Sequence, residues 1–213
     1  MTKILVTGAT GNIGRKTLQQ LLKRKPAGDL IGLARDPGKA ADLAAEGIEI
    51  RQGDYLDYTT LVRAFSGVEK VMLVSATAFT DRDTQHDNVI KAAREAGVRH
   101  IVFMPVIRKE DSDFILPQVT EQDVFAVERI KASGLDYTFV CHPPFLENIA
   151  LYLGGDILEN GLPAPAADFI LAWVGGINAG EWDGASGDLE KLLGRKPVTA
   201  AQSLRADDAQ RQA

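Results

Sequence analysis

Lys3-Ile4-Leu5-Val6-Thr7 runs without a break into Gly8-Ala9-Thr10-Gly11-Asn12-Ile13-Gly14-Arg15, and the reading of this stretch decides the fold. Three consecutive β-favouring apolar residues suit a central parallel strand covered on both faces. Glycines at three-residue intervals suit the turn that follows. Gly8 can take a dihedral closed to other residues, Gly11 lets the backbone approach a pyrophosphate, and Gly14 lets a new helix sit close to the strand. The amides at that helix start then point at an anion, and the helix dipole adds to the attraction. The spacing is Gly-x-x-Gly-x-x-Gly, not the commoner Gly-x-Gly-x-x-Gly, and a glycine triplet by itself is weak. Its context supplies the weight, because it lies between an apolar strand and a helix carrying Ile13, Leu18, Leu21 and Leu22 on one side. The expectation is a dinucleotide loop, against an ordinary glycine-rich turn.

The chain downstream repeats a strand-then-helix pattern, the mark of a doubly wound α/β sheet. Leu30-Ile31-Gly32-Leu33-Ala34 reads as the second strand and ends in Arg35-Asp36-Pro37-Gly38-Lys39. An acid near this position suits the ribose hydroxyls of NAD, and an arginine suits the extra phosphate of NADP. Arg35 comes first, so NADP is expected ahead of NAD, with Asp36 keeping NAD open. Ile48-Glu49-Ile50-Arg51 alternates as a third strand, followed by Gly53-Asp54-Tyr55. Asp54 can accept from an adenine amino group, or serve as a turn or cap residue before a helix over Tyr58 to Phe65. Val71-Met72-Leu73-Val74 predicts a fourth strand whose tip, Ser75-Ala76-Thr77, has small side chains that leave room for a ligand.

A helix is predicted from Thr84 to Ala96, with Val89, Ile90, Ala93 and Ala96 at helical spacing and a stop at Gly97. Its His86 is the single weak candidate for a chemical role, facing either the nicotinamide or solvent. Ile101 to Met104 predicts a fifth strand ended by Pro105; Val106 to Gln118 reads as a flap over a site or as a solvated loop. A helix from about Val119 to Ala132 is expected to turn Val124, Val127 and Ile130 inward. Tyr137 to Cys141 predicts the sixth strand, which runs into His142-Pro143-Pro144-Phe145 at the carboxyl edge where ligands of open α/β sheets bind.

With 213 residues, 45% hydrophobic and 25% charged, the composition is that of a globular protein that folds without a partner. The net charge of −5 and the lack of a dense Lys/Arg run argue against a nucleic-acid surface. No apolar run approaches the roughly 20 residues of a membrane helix, and a strand beginning at residue 3 leaves no room for a signal peptide, so a cytoplasmic protein is expected. Cys141 is the single cysteine, and His86, His100 and His142 show no metal-ligand spacing, so neither an internal disulfide nor a metal is expected.

These blocks carry a resemblance. Thr7 to Gly14, Arg35-Asp36-Pro37 with Lys39-Ala40, Gly53-Asp54-Tyr55, Gln85-His86-x-Asn88-Val89-Ile90 leading to Ala96-Gly97-Val98-Arg99-His100-Ile101, and Gly134-Leu135-Asp136-Tyr137-Thr138 resemble the NmrA-like NAD(P)-binding proteins. These are atypical short-chain dehydrogenase/reductases that include NAD(P)H:quinone reductases and triphenylmethane-dye reductases. The resemblance runs from residue 1 to about 160 and resumes at Asp188-Leu189-Glu190-Lys191-Leu192-Leu193-Gly194-Arg195-Lys196-Pro197. It implies a Rossmann-like domain over 1–153 and a mostly helical remnant of the substrate lobe over 154–213, with an internal deletion near Gly161 and Leu162. The apolar helix that follows, with Ala166, Phe169, Ile170, Trp173 and Val174, must then pack on the sheet or on a second subunit as a homodimer. The resemblance implies NADPH as cofactor, held by Gly8, Thr10, Gly11, Asn12, Ile13, Gly14, Arg35, Lys39, Asp54 and Tyr55. Ser75, Ala76, Thr77, Met104, His142, Pro143 and Phe145 complete the expected site, several of them, with Pro105, walling the acceptor.

Classical members of the wider superfamily use a Tyr-x-x-x-Lys pair. Here Tyr55, Tyr58, Tyr137 and Tyr152 are followed four places on by Thr59, Val62, Cys141 and Asp156, so the pair is absent. A ketone reductase needs a proton donor as the alkoxide forms, whereas a quinone is a strong hydride acceptor and needs less help. Three readings follow: an NADPH-dependent oxidoreductase acting on a quinone-like small molecule, a non-catalytic NAD(P)-binding redox sensor, and a shortened chain that binds nucleotide and does nothing further.

Overall fold

The computed structural model describes residues 2–77, 79–109, 111–145, 164–183, 187–196 and 202. It divides into two compact units: one comprises residues 1–106 and 117–142, the other residues 107–116 and 143–213. The domain boundary expected at 153/154 and the junction expected near Gly161 and Leu162 lie outside the described residues.

The first unit holds a six-stranded parallel sheet: β1 (Ile4–Val6), β2 (Leu30–Ala34), β3 (Glu49–Gln52), β4 (Lys70–Leu73), β5 (His100–Phe103) and β6 (Asp136–Phe139), in the order β3-β2-β1-β4-β5-β6. The order reverses at β1, which pairs with β2 on one side and β4 on the other. A crevice opens at such a reversal, outside the carboxyl ends of the strands. Helices α1 (Asn12–Leu22) and α2 (Ala41–Ala45) belong to one face, and α3 (Tyr58–Phe65), α4 (Arg82–Glu95) and α5 (Thr120–Ala132) to the other. α2 was not foreseen, since five residues rich in alanine carry little periodicity.

The period-two alternation of strand side chains sorts the core into two layers. Leu5, Ile31, Leu33, Val71, Leu73, Ile101 and Phe103 pack against Leu61, Phe65, Val89, Ile90, Ala93 and Ile130. On the other face Val6, Leu30, Ala9, Leu18, Leu43 and Ile48 form the second cluster. β2 is buried at all five positions, as its unbroken apolar run requires. α4 starts two residues earlier than the spacing predicts because Asp81 caps it, accepting from the Thr84 N–H at 3.3 Å. In α5 the inward positions are Asp123, Ala126 and Ile130, whereas Val124, expected inside, is 39% exposed. Asp123 takes the core-facing position and rotates Val124 by one residue, roughly 100°, toward solvent.

Asp123 is inside because it has a partner. Its Oδ1 lies 2.5 Å from Arg82 Nη2, Arg82 Nη1 donates to the Gln118 carbonyl at 2.9 Å, and the Val106 N–H donates to Asp123 Oδ2 at 2.9 Å. Both side chains are almost fully enclosed. One turn deeper in α4, His86 is completely buried and sits edge-on to the Phe103 ring at 5.4 Å. Burial first, and then the Arg82 charge, hold its pKa down to about 3.

In the second unit, α6 (Ala164–Asn178) buries Phe169 and Trp173, with rings edge-on at 5.7 Å. Val174 is exposed. A Cβ at Gly176 would lie 2.7 Å from Trp182 and 2.8 Å from Phe114, and those two rings meet edge-on at 5.6 Å. The segment read as a flap thus packs Phe114 within its own unit. A short helix, α7 (Asp188–Leu193), completes the described elements. Among the described residues no helix is long and apolar enough to cross a membrane, and no group of three or more His, Cys, Asp or Glu could hold a metal ion.

Two outcomes follow from the buried polar groups. Asp123→Ala strands a buried guanidinium and is expected to lower stability by ~3–5 kcal/mol, while the apolar pair Arg82→Met with Asp123→Leu recovers most of the loss in urea unfolding. His86 stays neutral to about pH 3, whereas in the unfolded chain it protonates near 6.5. The unfolded state therefore binds the extra proton between those values, and the stability His86 contributes, complete above pH 6.5, is lost as pH falls toward 3. Denaturation between pH 6.5 and 3 should be shallower in His86→Gln than in the parent; parallel curves would mean that the ring titrates freely in the folded protein.

Candidate functional site

The glycine loop is shaped by contacts that leave no room for side chains. Gly8 adopts φ +62°, which only glycine takes without strain. A Cβ at Gly14 would lie 2.3 Å from the Gly8 carbonyl oxygen and 2.7 Å from that of Thr7, so α1 rests directly on the end of β1. α1 begins at Gly11 in an extended conformation with no side-chain cap, leaving its first-turn N–H groups without the usual hydroxyl or carboxylate acceptor. This arrangement suits an anion.

A cleft of about 390 Å³ lies over the loop, within the size range of ligand pockets. The loop itself contributes Gly8, Thr10, Gly11, Asn12, Ile13 and Gly14. On the β2–β3 side the wall is Leu33, Ala34, Arg35, Gly53, Asp54 and Tyr55; on the β4 side it is Val74, Ser75, Ala76, Thr77, Thr80 and Gln85. Twelve of the residues expected to hold a cofactor are brought together here: the six of the loop, Arg35, Asp54, Tyr55, Ser75, Ala76 and Thr77.

The remainder do not line this cleft. Lys39 is exposed in a short 3-10 turn, where its carbonyl accepts from Arg15 of α1 at 2.8 Å, an anchor that keeps the turn beside α1. Met104 follows β5 and is nearly buried, and His142 follows β6; β4 stands between both strands and the glycine loop. Pro143 and Phe145 belong to the second unit. His86 faces neither the cleft nor solvent. It lies beneath the wall, and its Nε2 accepts the Ala76 N–H at 3.1 Å, which puts the ring proton on Nδ1.

Each side of the cleft is tied down. Asp36 Oδ1 accepts from Gly38 N at 3.0 Å and caps the turn opened by Pro37; of these two neighbours at the end of β2, Arg35 lines the cleft and Asp36 does not. Asp54 accepts from Leu56 N at 3.0 Å in an Asx turn while also lining the cleft; the cap of α3 is Asp57, bonded to Thr60 N at 3.2 Å. The Tyr55 hydroxyl points inward. It lies 2.8 Å from the Val74 carbonyl and 2.5 Å from Thr7 Oγ1, which itself accepts the Val74 N–H at 2.9 Å. Burial raises the phenol's pKa, with the Thr7 contact opposing, so Tyr55 stays protonated as a clasp between β1, β4 and the loop after β3. Ser75 Oγ is buried with no hydrogen-bond partner among the described residues, an orphan in the cleft wall that a bound polar group would satisfy.

Sequence reasoning missed Leu33, Ala34, Gly53, Val74, Thr80 and Gln85 as lining residues. Gln85 had a signal, its place at the start of the Gln-His-x-Asn run, but no chemistry attached to it. Thr80 lies in an irregular segment with no periodicity to read.

The loop without room for side chains, the uncapped helix start and the orphaned hydroxyl fit a dinucleotide, and comparison with known proteins agrees. A family model described as NAD(P)H-binding matches residues 8–156, a span that includes the whole cleft. Quinone oxidoreductase 2 of Escherichia coli (strain K12) is 36% identical over 164 residues, 77% of this chain and 56% of that protein. The crystal structure of the Escherichia coli NADPH-dependent quinone oxidoreductase complexed with NADPH matches with a TM-score of 0.66 at 34% identity, over 74% of this chain and 54% of that one. Citrobacter sp. triphenylmethane reductase matches with a TM-score of 0.65 at 36% identity, over 69% of this chain and 51% of that one. The chain spans about half the length of these relatives. Its matched span, its sheet order and its glycine loop make it a member of the NmrA-like, NAD(P)H-binding family of atypical short-chain dehydrogenase/reductases.

Proposed function

We propose that the protein is an NADPH-preferring oxidoreductase that reduces an electron-poor, quinone-like small molecule. The observation that carries the cofactor preference is the pairing of Arg35 and Asp36 at the end of β2. Arg35 lines the cleft, whereas the neighbouring carboxylate caps the next turn through Gly38 N and is not among the lining residues. A guanidinium there offers charged, bidentate hydrogen bonding to a 2′-phosphate. The loop glycines and the α1 amides would take the pyrophosphate, and Asp54 the adenine side.

The make-up of the described cleft wall supports this acceptor class. Its described residues include no His, Cys, Lys or Glu, and the Tyr55 hydroxyl points away from the ligand space into its clasp with Thr7 and Val74. The one carboxyl group among the described wall residues, Asp54, accepts from Leu56 N and is assigned to the adenine side, so none of these residues is proposed as the general acid. A reduction that ends in a phenolate tolerates this, because solvent can deliver the proton, whereas an alkoxide forming from a ketone does not. When bound, the reduced nicotinamide supplies the hydride. The chain supplies orientation and, on the β4 side, small side chains at Ser75, Ala76 and Thr77 that leave space for a flat acceptor. The relatives support this reading through their names, a quinone oxidoreductase and a triphenylmethane reductase.

Arg35→Ala is expected to weaken NADPH binding by about 1–3 kcal/mol while leaving NADH binding within a factor of about two, by titration of the purified chain; equal losses would remove Arg35 from the 2′-phosphate site. Gly14→Ala forces a Cβ onto two carbonyl oxygens and should abolish binding of both nucleotides. In the presence of a simple benzoquinone, loss of nicotinamide absorbance should scale with protein concentration. Tight NADPH binding with no oxidation would instead point to a redox-sensing role or to a shortened chain that binds nucleotide and does nothing further.

A further inference from the structure

We propose that the turn Gln85–Asn88 of α4 is a positioning device for the cofactor cleft, in which His86 holds the β4-side wall at Ala76 and Asn88 holds the adenine-side wall at Tyr55. This rests on the reading of the cleft as a dinucleotide site. Three of the four polar residues in the turn bond to the main chain of a wall or to a side chain that does, while the fourth, Asp87, pairs with Lys91 and Arg129. His86 Nε2 accepts from Ala76 N at 3.1 Å. Asn88 Nδ2 donates to the Tyr55 carbonyl at 2.9 Å. Gln85 Oε1 lies 2.9 Å from the Thr80 hydroxyl, which is also 2.7 Å from the Thr77 carbonyl.

Helical geometry explains why one turn can serve two walls. Residues two apart on an α-helix project roughly 160° from one another across the nearer arc. Val89, fully buried, lies between them in projection and seats that arc on the sheet, so His86 and Asn88 reach out to either side of it. Their targets stand on opposite sides of the glycine loop: Ala76 follows β4, which pairs with β1 on one side, and Tyr55 follows β3, the edge strand on the other side. Neither contact depends on charge. His86 is enclosed and neutral, and its second nitrogen, Nδ1, has no hydrogen-bond partner among the described residues. A buried imidazole that tolerates an unpaired N–H to keep one backbone bond is placed for that bond. His86 and Asn88 of the Gln-His-x-Asn run, neither of which lines the cleft, thereby acquire a function without touching the ligand.

Because the two arms act on different walls, they separate by probe. The full chain is titrated with NADPH and with adenosine 2′,5′-bisphosphate, which fills only the adenine side. His86→Leu should weaken NADPH by about tenfold and leave the bisphosphate within about twofold, since only the β4 side loses its support. His86→Gln, whose carbonyl can accept the Ala76 N–H, should restore NADPH binding to within about threefold of the parent. Asn88→Asp, isosteric but unable to donate, should weaken both probes by about five- to tenfold. Thermal midpoints are recorded for every variant. Should His86→Leu fail to fold, His86→Gln and Asn88→Asp decide: a Gln variant that loses both probes together, or an Asp variant that binds both normally, overturns the proposal. Equal weakening of both probes by His86→Leu overturns it as well. If the parent chain binds neither probe, the dinucleotide reading fails first, and the positioning role with it.

Discussion

The contact on which the cleft depends is the seating of α1 on the end of β1, where Gly14 lies under the carbonyls of Thr7 and Gly8 with no space for a single methyl group. A parallel strand and its following helix cannot approach this closely when a Cβ intervenes. The closeness sets the direction of α1, and so aims its uncapped first turn over the switch point between β1 and β4. It also places Ala9 and Leu18 in the smaller of the two core layers, so the same contact that shapes the loop packs one face of the sheet. Folding and ligand geometry share one constraint here.

The carboxyl edge of the sheet is then ordered by polar side chains that work from below. Thr7, Tyr55 and Val74 join β1, β4 and the loop after β3 through hydroxyl contacts sheltered from water. Each such bond contributes only about 1 kcal/mol net, but a partner lost from a buried group costs more than the bond was worth. Groups of this kind therefore specify one arrangement more than they stabilise it. The Arg82–Asp123 pair does the same for the start of α4 and the segment after β5, where one carboxylate receives both a guanidinium and the Val106 N–H. Walls held in this way are preorganised, so a ligand need not supply the free energy of ordering them.

Much of this was legible in the residues. The apolar runs of β2 and β4, the glycine stop at Gly97 and the exact span of α3 follow from local patterns, because burial on both faces and helix capping leave a one-dimensional record. The glycine loop was legible for the same reason, and twelve residues expected around a cofactor do line one cleft. Periodicity failed where a polar residue takes an inward place. Asp123 enters the core because Arg82, 41 positions earlier, meets it there, and no local pattern announces such a partner; Val124 is displaced outward as a result.

What the sequence alone determined is the order of the strands and of the longer helices between them, the site of the loop and the charge at the end of β2, since each rests on neighbours along the chain. Tertiary structure decided which of two adjacent residues is offered to a ligand and which supports the wall. Asp36 turned into a cap beside Arg35, Tyr55 turned its hydroxyl inward, and His86 went beneath Ala76 instead of over the cofactor. Those choices depend on where distant backbone N–H and carbonyl groups come to rest once the sheet is assembled, and a buried polar side chain goes to the partner it finds there.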